Sequence, residues 1–200
     1  MDWRLYHWAN GIASHHHWLE QVFRYIESYG TVILAVATFL LWLLARPGAD
    51  RKWKLASSSA LAAGALGLLV NQIVHAIWDR PRPYESHHVF IYHPYAGSKD
   101  AAFPSDHASA AFGIAFAVFL FDRLVGSIFL AAAVLIGTGR VIVGAHYPLD
   151  VVAGLLIGLG CAVVVVKLGR PVMSFLVRLV ERVTDPVVRP VWRSVSATRR

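Results

Sequence analysis

Long apolar runs separated by short polar and charged segments dominate this chain. Residues 28–45 carry no charge, and 55–78 are uncharged but hold Asn71, Gln72 and His75 toward one end. Runs 107–121 and 124–139 meet at the pair Asp122-Arg123, and 147–166 is apolar except for Asp150. About 20 helical residues cross a bilayer. Polar residues at the ends of the shorter runs extend each toward that length, as an intramembrane active site requires. The pattern predicts an all-α fold, a polytopic membrane helix bundle of about five spans, or six if the N-terminal segment crosses.

The two ends read differently. Residues 1–27 mix charges and histidines with three tryptophans. That composition suits an amphipathic segment lying at the headgroup level. No short apolar core followed by a small-residue cleavage site occurs there, so a cleaved signal peptide is not expected. Residues 171–183 space apolar positions around Arg178, Glu181 and Arg182 and also read as interfacial, opening an amphipathic, basic cytoplasmic tail over 171–200. The whole of 1–200 reads as one domain.

Composition narrows the class. Of 200 residues, 56% are hydrophobic and only 16% charged, against roughly 25% charged in soluble domains. That argues against a soluble enzyme, and the net charge of +7 does not mark a nucleic-acid binder in a chain whose apolar runs need lipid. The one cysteine, Cys161, excludes an internal disulfide and a multi-cysteine metal site. Segments 46–54, 122–123 and 167–200 carry a net +9, whereas 1–27, 79–106 and 139–150 carry −2. The basic side should be cytoplasmic, which puts 79–106 and 139–150 outside.

Reactive side chains concentrate on that outer side. Where the second run ends stand His75 and Asp79-Arg80-Pro81-Arg82-Pro83, with the prolines holding Arg80 and Arg82 in a stiff extended segment. Phe103-Pro104-Ser105-Asp106-His107 opens the third run; Ser105 is an expected N-cap, and the amides after it suit phosphate oxygens. In Arg140-x5-His146-x3-Asp150, Pro148 takes the first helical position, Tyr147 becomes the cap and Asp150 falls in the first turn. At that spacing the Asp150 carboxylate can accept a hydrogen bond from one His146 ring nitrogen, leaving the other free as nucleophile or base. An acid in an otherwise apolar span is a functional hypothesis by default. Together these groups offer arginine forks, a hydroxyl, helix-end amides, two histidines and an orienting carboxylate. No acidic cluster suggests a Mg²⁺ site, so arginines would neutralise the charge that develops at phosphorus. The chemistry indicated is metal-independent phosphoryl transfer through a phosphohistidine.

The three groups resemble the tripartite signature of the type 2 phosphatidic acid phosphatase superfamily, Lys-x6-Arg-Pro, Pro-Ser-Gly-His and Ser-Arg-x5-His-x3-Asp, over residues 75–150. The resemblance implies a helical membrane core with His146 as nucleophile, Asp150 as its orienter and His107 as general acid. It implies Arg82, Ser105 and Arg140 as phosphate ligands, and it requires neither metal nor other cofactor. Three positions depart from the pattern: His75 stands at the lysine, Asp106 at the glycine and Gly139 at the serine. Arg80 or protonated His75 could supply the contact the lysine makes in the family. Pro-Ser-Asp-His, the Arg-Pro-Arg-Pro segment and the compact length resemble one branch, the bacitracin-resistance-type undecaprenyl-diphosphate phosphatases. That resemblance implies an isoprenoid diphosphate lipid as partner, hydrolysed at the outer face of a bacterial inner membrane. Phosphatidylglycerophosphate and phosphatidate remain open as substrates because the motifs address phosphate and not the tail. A lipid-headgroup binder or transporter is the non-catalytic alternative, and oligomeric state is not read from the sequence.

Other features are read as structural. Consecutive His15, His16 and His17 on a helix point in different directions and are not expected to bind a metal. His87, His88 and His93 read as solvated loop histidines, Cys161 as a packed small residue and Trp78 as a belt anchor. Gly154 and Gly158 permit a close helix approach inside the bundle.

Overall fold

The computed structural model describes residues 2–45, 51–87 and 101–197. Helices run in the order α1 (Asp2–His15), α2 (His17–Leu44), α3 (Arg51–Ile77), the single turn α4 (Pro83–Ser86), α5 (Asp106–Phe121), α6 (Arg123–Ile142), α7 (Pro148–Val163) and α8 (Arg170–Ala197). A π-helical turn, Val164–Leu168, continues α7 toward α8. The chain is thus an all-helical, polytopic membrane bundle.

Among the described residues, four helices are long and apolar enough to cross a membrane: α2, α3, α6 and α7 with its π turn. The third of the five predicted spans, α5, has only 16 residues, a length of about 24 Å. It stops at Asp106 and Phe121 because Ser105 and Asp122 cap its two ends. Ten of its residues are buried, and α3, α6 and α7 pack around it. Alanine and glycine on α5 allow that approach. A Cβ at Gly158 of α7 would stand 2.6 Å from the Gly113 backbone nitrogen, and one at Gly154 would stand 2.9 Å from the Ser105 carbonyl. The outer faces of the bundle stay apolar and exposed, with Val32, Ile33, Val36 and Phe39 on α2 and Leu156 on α7 among them. Such a surface suits a lipid surround.

Residues 1–27 divide at His16, whose backbone (φ −137°, ψ 84°) is not helical, so their second half is the first part of α2. The three histidines therefore do not share one helix: His15 ends α1 and His17 begins α2. At the end of the bundle away from the motifs, Lys52 bonds Asp122 at 2.9 Å. Lys54 is buried there between Asp185 at 2.5 Å and Glu181 at 3.3 Å, over the Trp42 ring. The Lys54 pairs tie α8 to α3, and the Lys52 pair ties α3 to the corner between α5 and α6. Part of the basic loop (46–50), His88, His93 and the terminal Arg199 and Arg200 lie outside the described residues.

Candidate active site

The motif residues gather at one end of the bundle: Arg82 from the segment after α3, Ser105 and His107 at the start of α5, Arg140 in the last turn of α6, and His146 and Asp150 around the start of α7. The Arg140-to-His146 interval folds as a helix-ending turn. Val143 N–H donates to Gly139 O, and the N–H groups of Ala145 and His146 both return to Arg140 O at 3.0 and 3.1 Å. Gly144 makes the turn possible with φ 85°, a conformation that costs other residues about 1–2 kcal/mol. His146 is thereby folded back over Arg140.

Hydrogen bonding sets the His146 tautomer. Nδ1 lies 2.8 Å from the Ala102 carbonyl, which can only accept, so Nδ1 carries the proton. Nε2 lies 3.0 Å from Arg140 Nη2, which can only donate, so Nε2 presents its lone pair. Burial, followed by the charges of Arg140 and Arg82, holds the imidazole's pKa well below the ordinary histidine value, against the opposing Ala102 bond. His146 is a neutral imidazole with a buried nucleophilic nitrogen beside a guanidinium.

Asp150 does not make the hydrogen bond to His146 that the four-residue spacing suggests. Its Oδ2 stands 3.7 Å from Nδ1. As the third residue of α7 it turns back to cap its own helix, accepting the Tyr147 N–H at 2.8 Å. Its other oxygen accepts from Arg80 Nη1 at 2.5 Å. Tyr147 is the cap and Pro148 the first helical residue, as the sequence predicts.

Arg80 spends its fork on carboxylates: Nη1 on Asp150 and Nη2 on Asp2 at 2.7 Å, with its guanidinium over the Tyr147 ring. Its main chain also serves the site, since Ala102 N–H donates to Arg80 O at 2.8 Å. A relay of two hydrogen bonds therefore runs from Arg80 through Ala102 to His146 Nδ1. His75 Nε2 donates to Pro104 O at 3.1 Å, holding the loop that precedes Ser105. Ser105 is the N-cap expected of it, its Oγ accepting from Ala108 N–H at 3.5 Å, while its own N–H donates to Asp150 O at 3.1 Å. Arg82 is buried, its N–H donating to Glu85 at 2.8 Å. Half-buried His107 lies within electrostatic reach of both Arg82 and Arg140. The structure thus brings His107, His146, Arg82 and Arg140 into one field, and turns Arg80 and His75 toward protein groups.

Three further groups belong to this end. Asp106, where the family motif has glycine, accepts from Asn71 Nδ2 at 2.7 Å, and Asn71 in turn accepts from Ser109. Asp2 bridges Arg80 and the Leu149 N–H, and α1 lies along the loop that carries His146 through Tyr6 to Gly144 O and Asn10 to Ile142 O. Fully buried Glu27 on α2 forms an ion pair with Arg140 and accepts from Ser28 at 3.0 Å. Sequence reading placed Asp2 and Glu27 in an interfacial segment. The available signal was Glu27 itself, an acid adjoining an apolar run and so in need of a cation. Among the described residues no group of three His, Cys, Asp or Glu has the geometry of a metal site.

A model of the PAP2 superfamily matches residues 52–173, more than half of the chain and all three motif groups from His75 to Asp150. The chain belongs to the PAP2 superfamily. It is similar to two characterised proteins and one solved structure as follows. "Undecaprenyl-diphosphatase BcrC" of Bacillus subtilis is 26% identical over 192 residues, covering 94% of this chain and 96% of that protein. A "Lipid A 1-phosphatase" of Rhizobium johnstonii is 44% identical over 96 residues, 46% of this chain and 38% of that protein. The crystal structure of Aquifex aeolicus LpxE superposes with a TM-score of 0.67 at 26% identity, covering 82% of this chain and 93% of that one. This PAP2 protein is accordingly a multi-pass membrane lipid phosphatase.

Proposed function

We propose that the protein hydrolyses undecaprenyl diphosphate to undecaprenyl phosphate and inorganic phosphate at the outer face of a bacterial inner membrane, recycling the carrier lipid of the cell wall. The observation that carries the chemistry is His146, a neutral imidazole whose Nδ1 proton is committed to Ala102 and whose Nε2 lone pair faces Arg140. Nε2 attacks the terminal phosphorus, the bond to the bridging oxygen breaks, and His107 protonates the departing lipid phosphate. Arg82, Arg140 and the Ser105 end of α5 take the non-bridging oxygens, where charge develops. Water then attacks the phosphohistidine with His107 as base, releasing phosphate and restoring His146. Asp150 stabilises the cationic ring from 3.7 Å, and Arg80 and His75 support the site through Asp150 and Pro104.

Likeness to the B. subtilis undecaprenyl-diphosphatase along nearly the whole chain supports this substrate. The charge asymmetry supports the orientation, with the basic α3 start and α8 at the cytoplasmic end. The shared stretch with a lipid A 1-phosphatase favours one rival substrate. The test is kcat/KM on purified protein, with EDTA present, for undecaprenyl diphosphate, lipid A, phosphatidylglycerophosphate and phosphatidate. The isoprenoid diphosphate should be preferred, and His146→Ala should abolish release from every substrate. Preference for another lipid overturns the substrate, and no release from any of them would make the protein a headgroup binder.

A further inference from the structure

Glu27 is a fully buried carboxylate at the motif end that the reaction above leaves without a task. It sits on α2, outside all three motif groups and 113 positions from its partner Arg140. Its two oxygens are divided: Oε2 takes Arg140 Nη1, and Oε1 takes the Ser28 hydroxyl. The other terminal nitrogen of Arg140 rests on His146 Nε2 at 3.0 Å. One planar guanidinium therefore spans a buried carboxylate and the nucleophile. A plane held at one nitrogen has little freedom at the other, a constraint that the flexible arginine stem alone does not supply.

The neighbouring motif departure fits the same arrangement. At Gly139 a Cβ would stand 3.3 Å from Glu27 Cβ and 3.4 Å from the Phe23 carbonyl. The glycine that replaces the family's serine lets α2 bring Glu27 against the end of α6.

We infer that Glu27 is a positioning residue for phosphoryl transfer: its carboxylate fixes the Arg140 guanidinium where one nitrogen can pass from His146 Nε2 to a phosphate oxygen. The inference rests on Arg140 being a phosphate ligand, as proposed above. With substrate bound, Arg140 Nη2 donates to the phosphate, Nε2 is released to attack, and Glu27 keeps Nη1 in place. A mere clip between α2 and α6 would cost stability while leaving kcat and orthovanadate inhibition at their wild-type values.

The test is a double-mutant cycle on phosphate release, with orthovanadate as a probe of the five-coordinate phosphoryl geometry. Glu27→Gln should lower kcat about 10- to 100-fold with KM changed less than about 3-fold, because the contact matters in the transition state. Orthovanadate inhibition should weaken by a similar factor. In an Arg140→Gln background the same change should cost less than about 2-fold. Glu27→Asp, which keeps the charge, should recover part of the loss and carries the cycle if Glu27→Gln elutes as aggregate. Wild-type kcat in the Glu27 variants, or an equal loss in both backgrounds, overturns the inference while leaving the proposed function intact. A fully active Arg140→Gln enzyme overturns the ligand assignment and this inference with it.

Discussion

Replacing Arg80 distinguishes two roles that sequence alone leaves open. A phosphate ligand would be dispensable to the resting fold, whereas the structure gives Arg80 two charge-assisted bonds, at 2.5 Å to Asp150 and 2.7 Å to Asp2. Asp150 is fully buried, so Arg80→Ala leaves a carboxylate that water cannot reach. A hydrogen bond to a charged group contributes about 1.5–3 kcal/mol. The Asp150 bond should count nearly in full. The Asp2 bond counts for less, since the Arg80 side chain is 24% exposed and water replaces part of it. The loss is then about 2–4 kcal/mol, or roughly 5–10 °C in the unfolding midpoint of a chain this size. Arg80→Lys should recover only part of it, because an ammonium cannot form two parallel fork contacts. Thermal unfolding in detergent, followed by size exclusion or tryptophan fluorescence, reads the shift, and steady-state kinetics on the same samples should show a loss in kcat exceeding that in KM. An Arg80→Ala protein as stable as the wild type, with a raised KM and unchanged kcat, would refute the reasoning and return Arg80 to the phosphate.

Further outcomes follow from the same geometry. Asp150→Asn should lower kcat by about 10²-fold, short of the roughly 10⁴-fold seen where the acid alone sets the tautomer, since the Ala102 carbonyl keeps the proton on Nδ1; a loss equal to that of His146→Ala contradicts this. Gly144→Ala forces φ 85° on a residue with a Cβ, and should cost about 1–2 kcal/mol of stability, with a measurable fall in kcat as His146 moves. Because the His146 pKa is lowered, its neutral form persists as pH falls through the ordinary histidine value of 6.5. The rate of phosphoenzyme formation should therefore show no acid limb from His146 at that value, and a limb centred there that tracks this residue would contradict the assignment.

The motif residues were legible because their spacing coincides with helix boundaries. Pro148 announces the start of α7 and Ser105 that of α5, so Asp150 and His107 fall in first turns without any tertiary information. The apolar runs located the transmembrane helices for the same reason. What local pattern could not show was competition for each group. The spacing from His146 to Asp150 permits a hydrogen bond, but a capping N–H at 2.8 Å and an arginine at 2.5 Å take the carboxylate first. Asp2 and Glu27 meet their arginines across 78 and 113 positions, a pairing fixed only when α1 and α2 dock on the motif end. Likewise the length of α5 depended on Asp122 capping α6 instead of extending the preceding helix.

The central claim is that His146 Nε2 bonds covalently to phosphorus. Rapid quenching of turnover at alkaline pH, which preserves phosphohistidine, followed by peptide mass spectrometry tests it directly. A phosphoryl group on the peptide containing His146, absent from His146→Ala and accumulating in His107→Ala, is the result the geometry predicts. Turnover by the wild-type enzyme with no phosphate on that peptide, or with phosphate on another residue, would contradict it.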